Sequence, residues 1–518
     1  MLHTAGDGGS GGSIWLGPLG YWGVSDGTWW ISLIGATNLV IVVVMLFTVG
    51  KNRRPTTAVA WLLAVTLIPY LGLLLFAMFG SNHLPRSQRR KQAEFDGLLR
   101  EATEGLDDRV TTTMPKRFRQ VSQLARELTA IPHLPGNRIQ IHIDYDPTIL
   151  EMAREIDGAE EYVHVLFYTM GYDDVTEPFF DAIERAQARG VTVRVLFDQI
   201  GTVRYSGYRK LRSRLREIGV DYHHLYPVLP WKGGWQRFDL RNHRKLLVVD
   251  GRIGWVGSQN IIARDYHKGG KPGERKLWQD IMLRLQGPMA VALDAVFRND
   301  WYLVTGVLLE DAADPTAQDF IEELDRARLL GSTEDTYDCQ LVPSGPGYET
   351  ENNLRIFVQL LYLARKRVVI ATPYFAPDDS MLYAITTAAQ RGVQVELFVS
   401  MKGDQFFIQH AQQSFYEQLL RAGVRIMRYE EPYILHAKHM TVDDEVSFVG
   451  SSNLDMRSFT LNAELMLLVY GRTFATRMHA VEESYRAASQ ELTLREWLER
   501  PWYREAADNV ARLTSVIQ

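Results

Sequence analysis

Two stretches near the amino end of the chain are apolar almost without interruption. Trp29 to Gly50 contains no charged residue and is dense in Ile, Leu and Val; Thr56 to Gly80 repeats the pattern after a short basic turn, Lys51-Asn52-Arg53-Arg54-Pro55. About 20 apolar helical residues cross a hydrocarbon core, so each run is long enough to span one. Trp29, Trp30, Trp61 and Tyr70 suit an interfacial aromatic belt. A cleaved signal peptide does not fit, because residues 1–28 hold no Lys or Arg and the apolar runs are too long. The pattern therefore predicts a tail over residues 1–28, a two-helix transmembrane anchor over 29–80, and a multi-pass protein of the cell (cytoplasmic) membrane. One feature strains that topology. The basic turn and the later basic set Arg86, Arg89, Arg90 and Lys91 cannot both be cytoplasmic if two full spans separate them. Pro69 and Gly72 interrupt the second run, which leaves a re-entrant segment open.

Beyond the anchor, residues 81–133 are polar and helix-prone and predict a helical linker. Phe118, Val121, Leu124, Ala125 and Leu128 recur at helical spacing behind Pro115, a first-turn proline. From about residue 137 the chain repeats itself. A β-rich run (Tyr162 to Met170), a helical stretch ending at Arg189-Gly190 and the strand Val191 to Phe197 are matched by Arg367 to Phe375, a helical stretch ending at Arg391-Gly392 and Val393 to Phe398. Strands alternating with helices place both halves in the α/β class. The halves are assigned as domains over 134–330 and 331–518. The repeat distance, 193 residues from His243 to His436, is that of a duplicated domain and far exceeds a solenoid period.

Composition refines this picture only at the edges. A chain of 518 residues needs two or three domains, and 46% hydrophobic with 23% charged residues is ordinary for a globular protein. A net charge of −5 gives no support for wholesale nucleic-acid binding. The single Cys339 excludes an intramolecular disulfide framework and, with no Cys/His cluster, argues against structural zinc.

The chemistry lies in a motif that occurs once per half. His243-x-Lys245, four residues, Asp250, six residues, Gly257-Ser258-x-Asn260 is followed downstream by His436-x-Lys438, four residues, Asp443, six residues, Gly450-Ser451-x-Asn453. A lysine two positions from a histidine on a strand shares its face. Two such pairs would place two imidazoles and two ammonium groups around one phosphoryl centre, one imidazole neutral and nucleophilic, the other protonated and acidic. The ammonium groups would stabilise the developing charge without a metal or other cofactor. The Gly-Ser-x-Asn turns supply small residues for close backbone approach and donors for phosphate oxygens. Asp250 and Asp443 close each motif but fall on the turn after the strand, where a structural ion-pair role is at least as plausible as a catalytic one. His223, His224, His267, His410 and His439 have no counterpart in the other half and read as surface or packing residues.

These motifs resemble those of the phospholipase D superfamily, and with the tandem apolar runs the resemblance narrows to bacterial-type cardiolipin synthases. It rests also on Arg241-Asn242-His243-Arg244-Lys245, Val342-Pro343-Ser344-Gly345-Pro346, Asn453-Leu454-Asp455-Met456-Arg457-Ser458 and Asn462-Ala463-Glu464. The resemblance implies two duplicated phospholipase D-like α/β/α domains forming one active site at their interface. It implies a phosphatidyl-histidine intermediate, with His243 as nucleophile and His436 as acid and base. It also implies a carboxylate downstream of each Asn that orients a histidine: Glu464, 28 residues after His436, and Asp280, 37 residues after His243. The expected substrates are phosphatidylglycerol and other anionic phospholipids at a membrane, with no nucleic acid. A loop inserted before His243, Pro230 to Phe238, interleaves Trp231 and Trp235 with basic residues and suits the headgroup region, as does the basic loop Lys268 to Lys276. The competing readings are a membrane phospholipase D that releases phosphatidic acid, a nuclease of the same superfamily, and an inactive lipid-binding scaffold.

Overall fold

The computed structural model describes residues 26–50, 53, 55–106, 114–205, 207–227, 237, 239–266, 276–309, 322–323, 325–326, 336–403 and 405–513. The chain divides into two compact units, Met1–Ser81 and Asn82–Gln518.

Among the described residues the first unit holds three helices, α1 (Asp26–Val49), α2 (Pro55–Leu67) and α3 (Pro69–Phe79). The second apolar run is thus two short helices where one span was predicted. Proline lacks the N–H that would continue α2 and disfavours helical geometry in the residue before it, and Ile68 sits at φ −137°. The chain then folds back. Trp61 and Phe76 meet edge to face with ring centroids 5.4 Å apart. The Arg53 guanidinium, ahead of α2, donates to the Gly80 carbonyl after α3 (2.7 Å) and to the Val49 carbonyl at the end of α1 (2.9 Å). Gly72 allows the tight turn, because a Cβ there would run into the backbone of Ala64 and Val65. Among the described residues no helix is long and apolar enough to cross a membrane, so the two-span anchor is corrected to one helix and a helical hairpin. Leu39, Val40, Phe47, Leu63, Leu67 and Leu74 on these helices are exposed.

Among the described residues the second unit holds one 16-stranded mixed sheet and two separate two-stranded sheets. The first half contributes β1 (Leu134–His142), β2 (Tyr162–Phe167), β3 (Thr192–Asp198), β4 (Asp221–Leu225), β5 (Arg241–Asn242), β6 (Lys245–Val249), β7 (Ile253–Gly257), β8 (Leu277–Gln279) and β9 (Met282–Gln286). The second half contributes β10 (Thr336–Ser344), β11 (Arg367–Ala371), β12 (Phe375–Ala376), β13 (Gln394–Ser400), β14 (Arg425–Tyr429), β15 (Tyr433–Leu435), β16 (His439–Val442), β17 (Val446–Gly450), β18 (Leu454–Asp455), β19 (Asn462–Tyr470) and β20 (Ser489–Leu492). The strand order is β20-β14-β13-β11-β16-β17-β19-β10-β1-β9-β7-β6-β2-β3-β4. Without β20 it reads the same from either end once each strand is replaced by its repeat partner. The seam is the antiparallel pair β1–β10, which joins the halves into a continuous sheet.

Strands such as β6 (Lys-Leu-Leu-Val-Val) and β17 are buried along their whole length, as strands covered on both faces must be. On one face the helices Pro288–Thr305 and Arg472–Ala487 share a single core with both halves. On the other face each half has its own core, under Tyr145–Asp157 and Glu177–Ala188 in the first half and Asn352–Leu363 and Asp379–Gln390 in the second. Between the apolar unit and β1, the helices Arg86–Ala102 and Arg119–Thr129 pack onto these cores through Phe95, Leu99, Val121 and Ala125.

Candidate active site

The histidines of the two motifs stand where each half reaches into the other. β5, just before His243, runs parallel to the start of β19, with Asn242 opposite Ala463. β15, just before His436, runs parallel to β8, with Leu435 opposite Gln279. The backbone continues both pairings by one step: the His243 N–H donates to the Ala463 carbonyl (2.8 Å) and the His436 N–H to the Gln279 carbonyl (2.7 Å). The next residue on each opposing strand is an acid, Glu464 or Asp280.

Each imidazole consequently meets the carboxylate of the opposite half. His243 Nδ1 lies 3.0 Å from Glu464 Oε2, and His436 Nδ1 lies 2.6 Å from Asp280 Oδ1. The offsets from the motif asparagines leave open which histidine each acid serves. The short cross-half pairings β5–β19 and β15–β8 decide the partner, and sequence distance does not. Within its own half each acid is held by the motif serine: Ser258 Oγ donates to Asp280 and Ser451 Oγ to Glu464, both at 2.6 Å. The motif glycines make this approach possible. A Cβ on Gly257 or Gly450 would collide with the Ile281 or Leu465 carbonyl of the neighbouring strand.

Both lysines are fully buried beside the histidines. Lys245 Nζ donates to the His243 carbonyl at 2.5 Å, and Lys438 Nζ makes the equivalent bond to the His436 carbonyl. Aromatic rings pack edge to face on each imidazole, Tyr168 on His243 and Trp278 on His436, each at 4.8 Å.

Burial dominates the electrostatics. Desolvation pushes the His243 imidazole down to about 4 and that of His436 to about 3, with the lysines adding to the effect and the carboxylates opposing it. Desolvation likewise lowers the Lys245 ammonium well below its ordinary value. For Asp280 burial acts upward, but His436, Lys438 and the Ser258 hydroxyl outweigh it and hold the carboxyl down at about 2. Glu464 is lowered against burial in the same way by His243, Lys245 and Ser451. A charged carboxylate facing Nδ1 fixes the proton there and leaves the Nε2 lone pair for chemistry.

Asn260 and Asn453 hold loops at the site. Asn260 accepts from the Thr169 N–H (3.1 Å) and donates to the Tyr266 hydroxyl (2.9 Å), while Asn453 is buried beside Asp455. Asp250 and Asp443 are not brought to the site. Each lies at the far end of a strand, roughly 17 Å along the chain from its lysine at the usual rise. Each adopts a left-handed conformation, φ +52°. Asp250 accepts from the backbone N–H groups of Glu160, Glu161 and Tyr162, and Asp443 from those of Arg365, Lys366 and Arg367. Asp443 also pairs with Arg117 at 2.7 Å. A catalytic role for them is corrected to the structural one: they tie the start of β2 and β11 to the end of the motif strand.

Several residues at the site have no role assigned from the sequence. Arg244 crosses between the halves, binding Asp300 with both oxygens at 2.7 Å and donating to the Glu464 carbonyl at 3.2 Å. Arg264 and Arg457 stand four residues after the motif asparagine in each half, a shared offset that would have flagged them. Arg264 donates to the Trp278 carbonyl and to Gln279, bracing β8, and Arg457 donates to the Asp239 carbonyl. Of the remaining histidines, His439 is buried and His410 pairs with Asp508. The Trp231/Trp235 loop, His267 and residues 268–275 lie outside the described residues.

A doubled α/β unit with two His-x-Lys motifs meeting at one centre, each histidine backed by a carboxylate, defines a phospholipase D-like protein. Comparison with known proteins narrows the class. The family described as "Cardiolipin synthase, PLD-like domain" matches residues 152–301 and 357–485, and "Phospholipase_D-nuclease N-terminal" matches residues 38–81. Cardiolipin synthase A of Pectobacterium carotovorum is 31% identical over 504 residues, covering 96% of each chain. That of Proteus mirabilis is 31% identical over 482 residues, 92% of this chain and 94% of its own. A phosphatidylserine synthase from Haemophilus influenzae shares the fold at a TM-score of 0.55 with 16% identity, over 77% of this chain and all of its own. The chain belongs to the cardiolipin synthase family of phospholipase D-like phosphatidyltransferases.

Proposed function

We propose that the chain transfers the phosphatidyl group of one phosphatidylglycerol to a hydroxyl of a second, forming cardiolipin and releasing glycerol. The observation that carries this reading is the crossed pair of carboxylate-backed histidines, each with its lysine, in a chain of this family. His243 Nε2 attacks phosphorus. The P–O bond to the departing glycerol breaks as His436 delivers a proton to that oxygen, leaving a phosphatidyl-histidine. His436, now neutral, takes the proton from the acceptor hydroxyl, whose oxygen displaces His243 from phosphorus. Both imidazoles sit low in the free site, so the anionic substrate has a further task. A phosphodiester beside His436 raises its proton affinity and charges the acid only when substrate is present. The same anion favours the charged form of Lys245, whose ammonium then helps to stabilise the transition state beside Lys438.

This reading extends to the apolar unit. α1 and the α2–α3 hairpin hold the protein in the membrane, with their exposed Leu, Val and Phe side chains in the lipid. A hairpin that enters and returns on one side leaves the two basic stretches of the sequence, before α2 and after α3, without a full span between them, which suits the positive-inside rule.

The test is the purified protein with phosphatidylglycerol alone. Cardiolipin and free glycerol should appear in equal amounts, and His243→Asn should abolish both. Phosphatidic acid without cardiolipin would move the assignment to a hydrolase.

A further inference from the structure

The last helix of the second half is turned inside out. In Trp502–Leu513 the face toward the body carries Asp508 and Ala511, both buried, while Trp502, Tyr503, Ala506, Val510 and Leu513 line the opposite side and are exposed among the described residues, Trp502 at 78%. A surface helix normally presents the reverse arrangement. Internal bonds hold this orientation. Asp508 accepts from His410 at 2.6 Å and from Arg500 at 3.0 Å, clamping the helix to its neighbour Phe406–Gln413. That neighbour carries two more exposed aromatic residues, Phe406, 68% exposed, and Phe407. Trp497, a few residues earlier, is buried against Tyr416 and is not part of it.

The helix that carries Phe406 and Phe407 is tied to elements of the site. Phe406–Gln413 lies beyond the carboxyl ends of β11 and β13. Gln412 accepts from the Phe375 N–H of β12, which pairs with β18, the strand that follows Asn453. Ser400, at the end of β13, accepts from the Leu435 N–H next to His436. The Gly403 carbonyl accepts from Lys276, just ahead of β8 and Asp280.

We infer that Phe406, Phe407, Trp502, Tyr503, Val510 and Leu513 form a surface that docks the catalytic body on a lipid bilayer and sets the His436 side of the site against it. The inference rests on the proposed function, because a site that takes bilayer lipids must meet a bilayer at its mouth. The composition favours lipid: Trp, Tyr and Phe with aliphatic neighbours is the interfacial pattern. The surface acts locally around the site and is separate in sequence from α1–α3.

The experiment uses the full chain in phosphatidylglycerol vesicles. Cys339 is buried, so Val510→Cys or Phe407→Cys can be labelled selectively with an environment-sensitive fluorophore. Both should shift to the blue and be quenched by lipids carrying a nitroxide near the headgroup, whereas Leu150→Cys, exposed on a first-half helix, should not. In parallel, Phe406→Ser/Phe407→Ser/Trp502→Ser/Tyr503→Ser should keep turnover in mixed detergent micelles within about twofold and lose at least about tenfold on vesicles. No quenching at 510 and 407, or equal losses in micelles and vesicles, overturns the inference. A blue shift without quenching, together with a doubled mass in detergent, would mean that a second copy covers the surface and would overturn it too. Wild-type protein that makes no cardiolipin in either system counts against the proposed function, while the quenching still reports docking.

Discussion

Glu464 and Asp280 each bind their own half's serine and the other half's histidine, so the two motifs cannot be positioned independently. The crossing makes a test that separates the two chemical steps. Removing the charge from Asp280 lowers the proton affinity of His436, so fewer complexes carry the protonated acid that the first step needs, and the neutral imidazole left afterwards is a poor base. Asp280→Asn should therefore slow both steps, and acid quench of labelled phosphatidylglycerol should trap the phosphatidyl-enzyme that has formed and waits for the second. Glu464→Gln weakens the nucleophile itself and should trap little, with turnover lowered by up to about 10⁴, the loss seen when an orienting carboxylate is amidated elsewhere. Accumulation in the Glu464 variant instead would exchange the roles of His243 and His436. Both acids were legible in the sequence as residues downstream of the motif asparagines. Their partners were not, because β5 and β8 are two and three residues long and carry no periodic signal. Only the folded register shows which imidazole each acid faces.

Motif strands were legible for the opposite reason. Leu246 to Val249 and Met440 to Val442 are apolar runs bounded by turn residues, and both fold as buried strands. The aspartates that close them show how spacing alone can mislead. Asp250 and Asp443 recur at a fixed distance from the histidines because a strand of fixed length separates two fixed tasks, chemistry at one end and a turn at the other. Both hold a left-handed conformation that is costly for a residue with a Cβ, and both offset it by gathering three backbone N–H groups. Backbone donors and Arg117 hold the Asp443 carboxyl below its ordinary value although burial pushes it up. Asp250→Asn and Asp443→Asn should thus each lower stability by about 1–3 kcal/mol in urea unfolding, the second more because Arg117 loses its partner. The folded fraction should turn over within about threefold of wild type. A hundredfold loss of activity at unchanged stability would return these residues to the chemistry.

For the whole molecule, the duplication was the most legible feature, since two copies at one period reveal themselves without any knowledge of the fold. The seam was hidden: nothing in Leu134–His142 or Thr336–Ser344 announces that these strands pair and make one sheet of two halves. The apolar unit was legible in composition but not in path. Hydropathy counts residues and finds enough for a second span, whereas Pro69 and Gly72 turn that length back on itself. The hairpin fixes a testable topology. Gly50 and Ser81 flank it, both are exposed, and Arg53 ties the Val49 carbonyl to the Gly80 carbonyl. Because Cys339 is buried, Gly50→Cys and Ser81→Cys can each be probed with a membrane-impermeant thiol reagent on intact cells. Both should be protected, and both should react once the membrane is permeabilised, since Lys51, Arg53, Arg54 and the arginines beyond Pro85 favour the cytoplasmic side. A full crossing between residues 50 and 81 would instead expose one cysteine and protect the other. That result would mean the hairpin opens into a span in the bilayer.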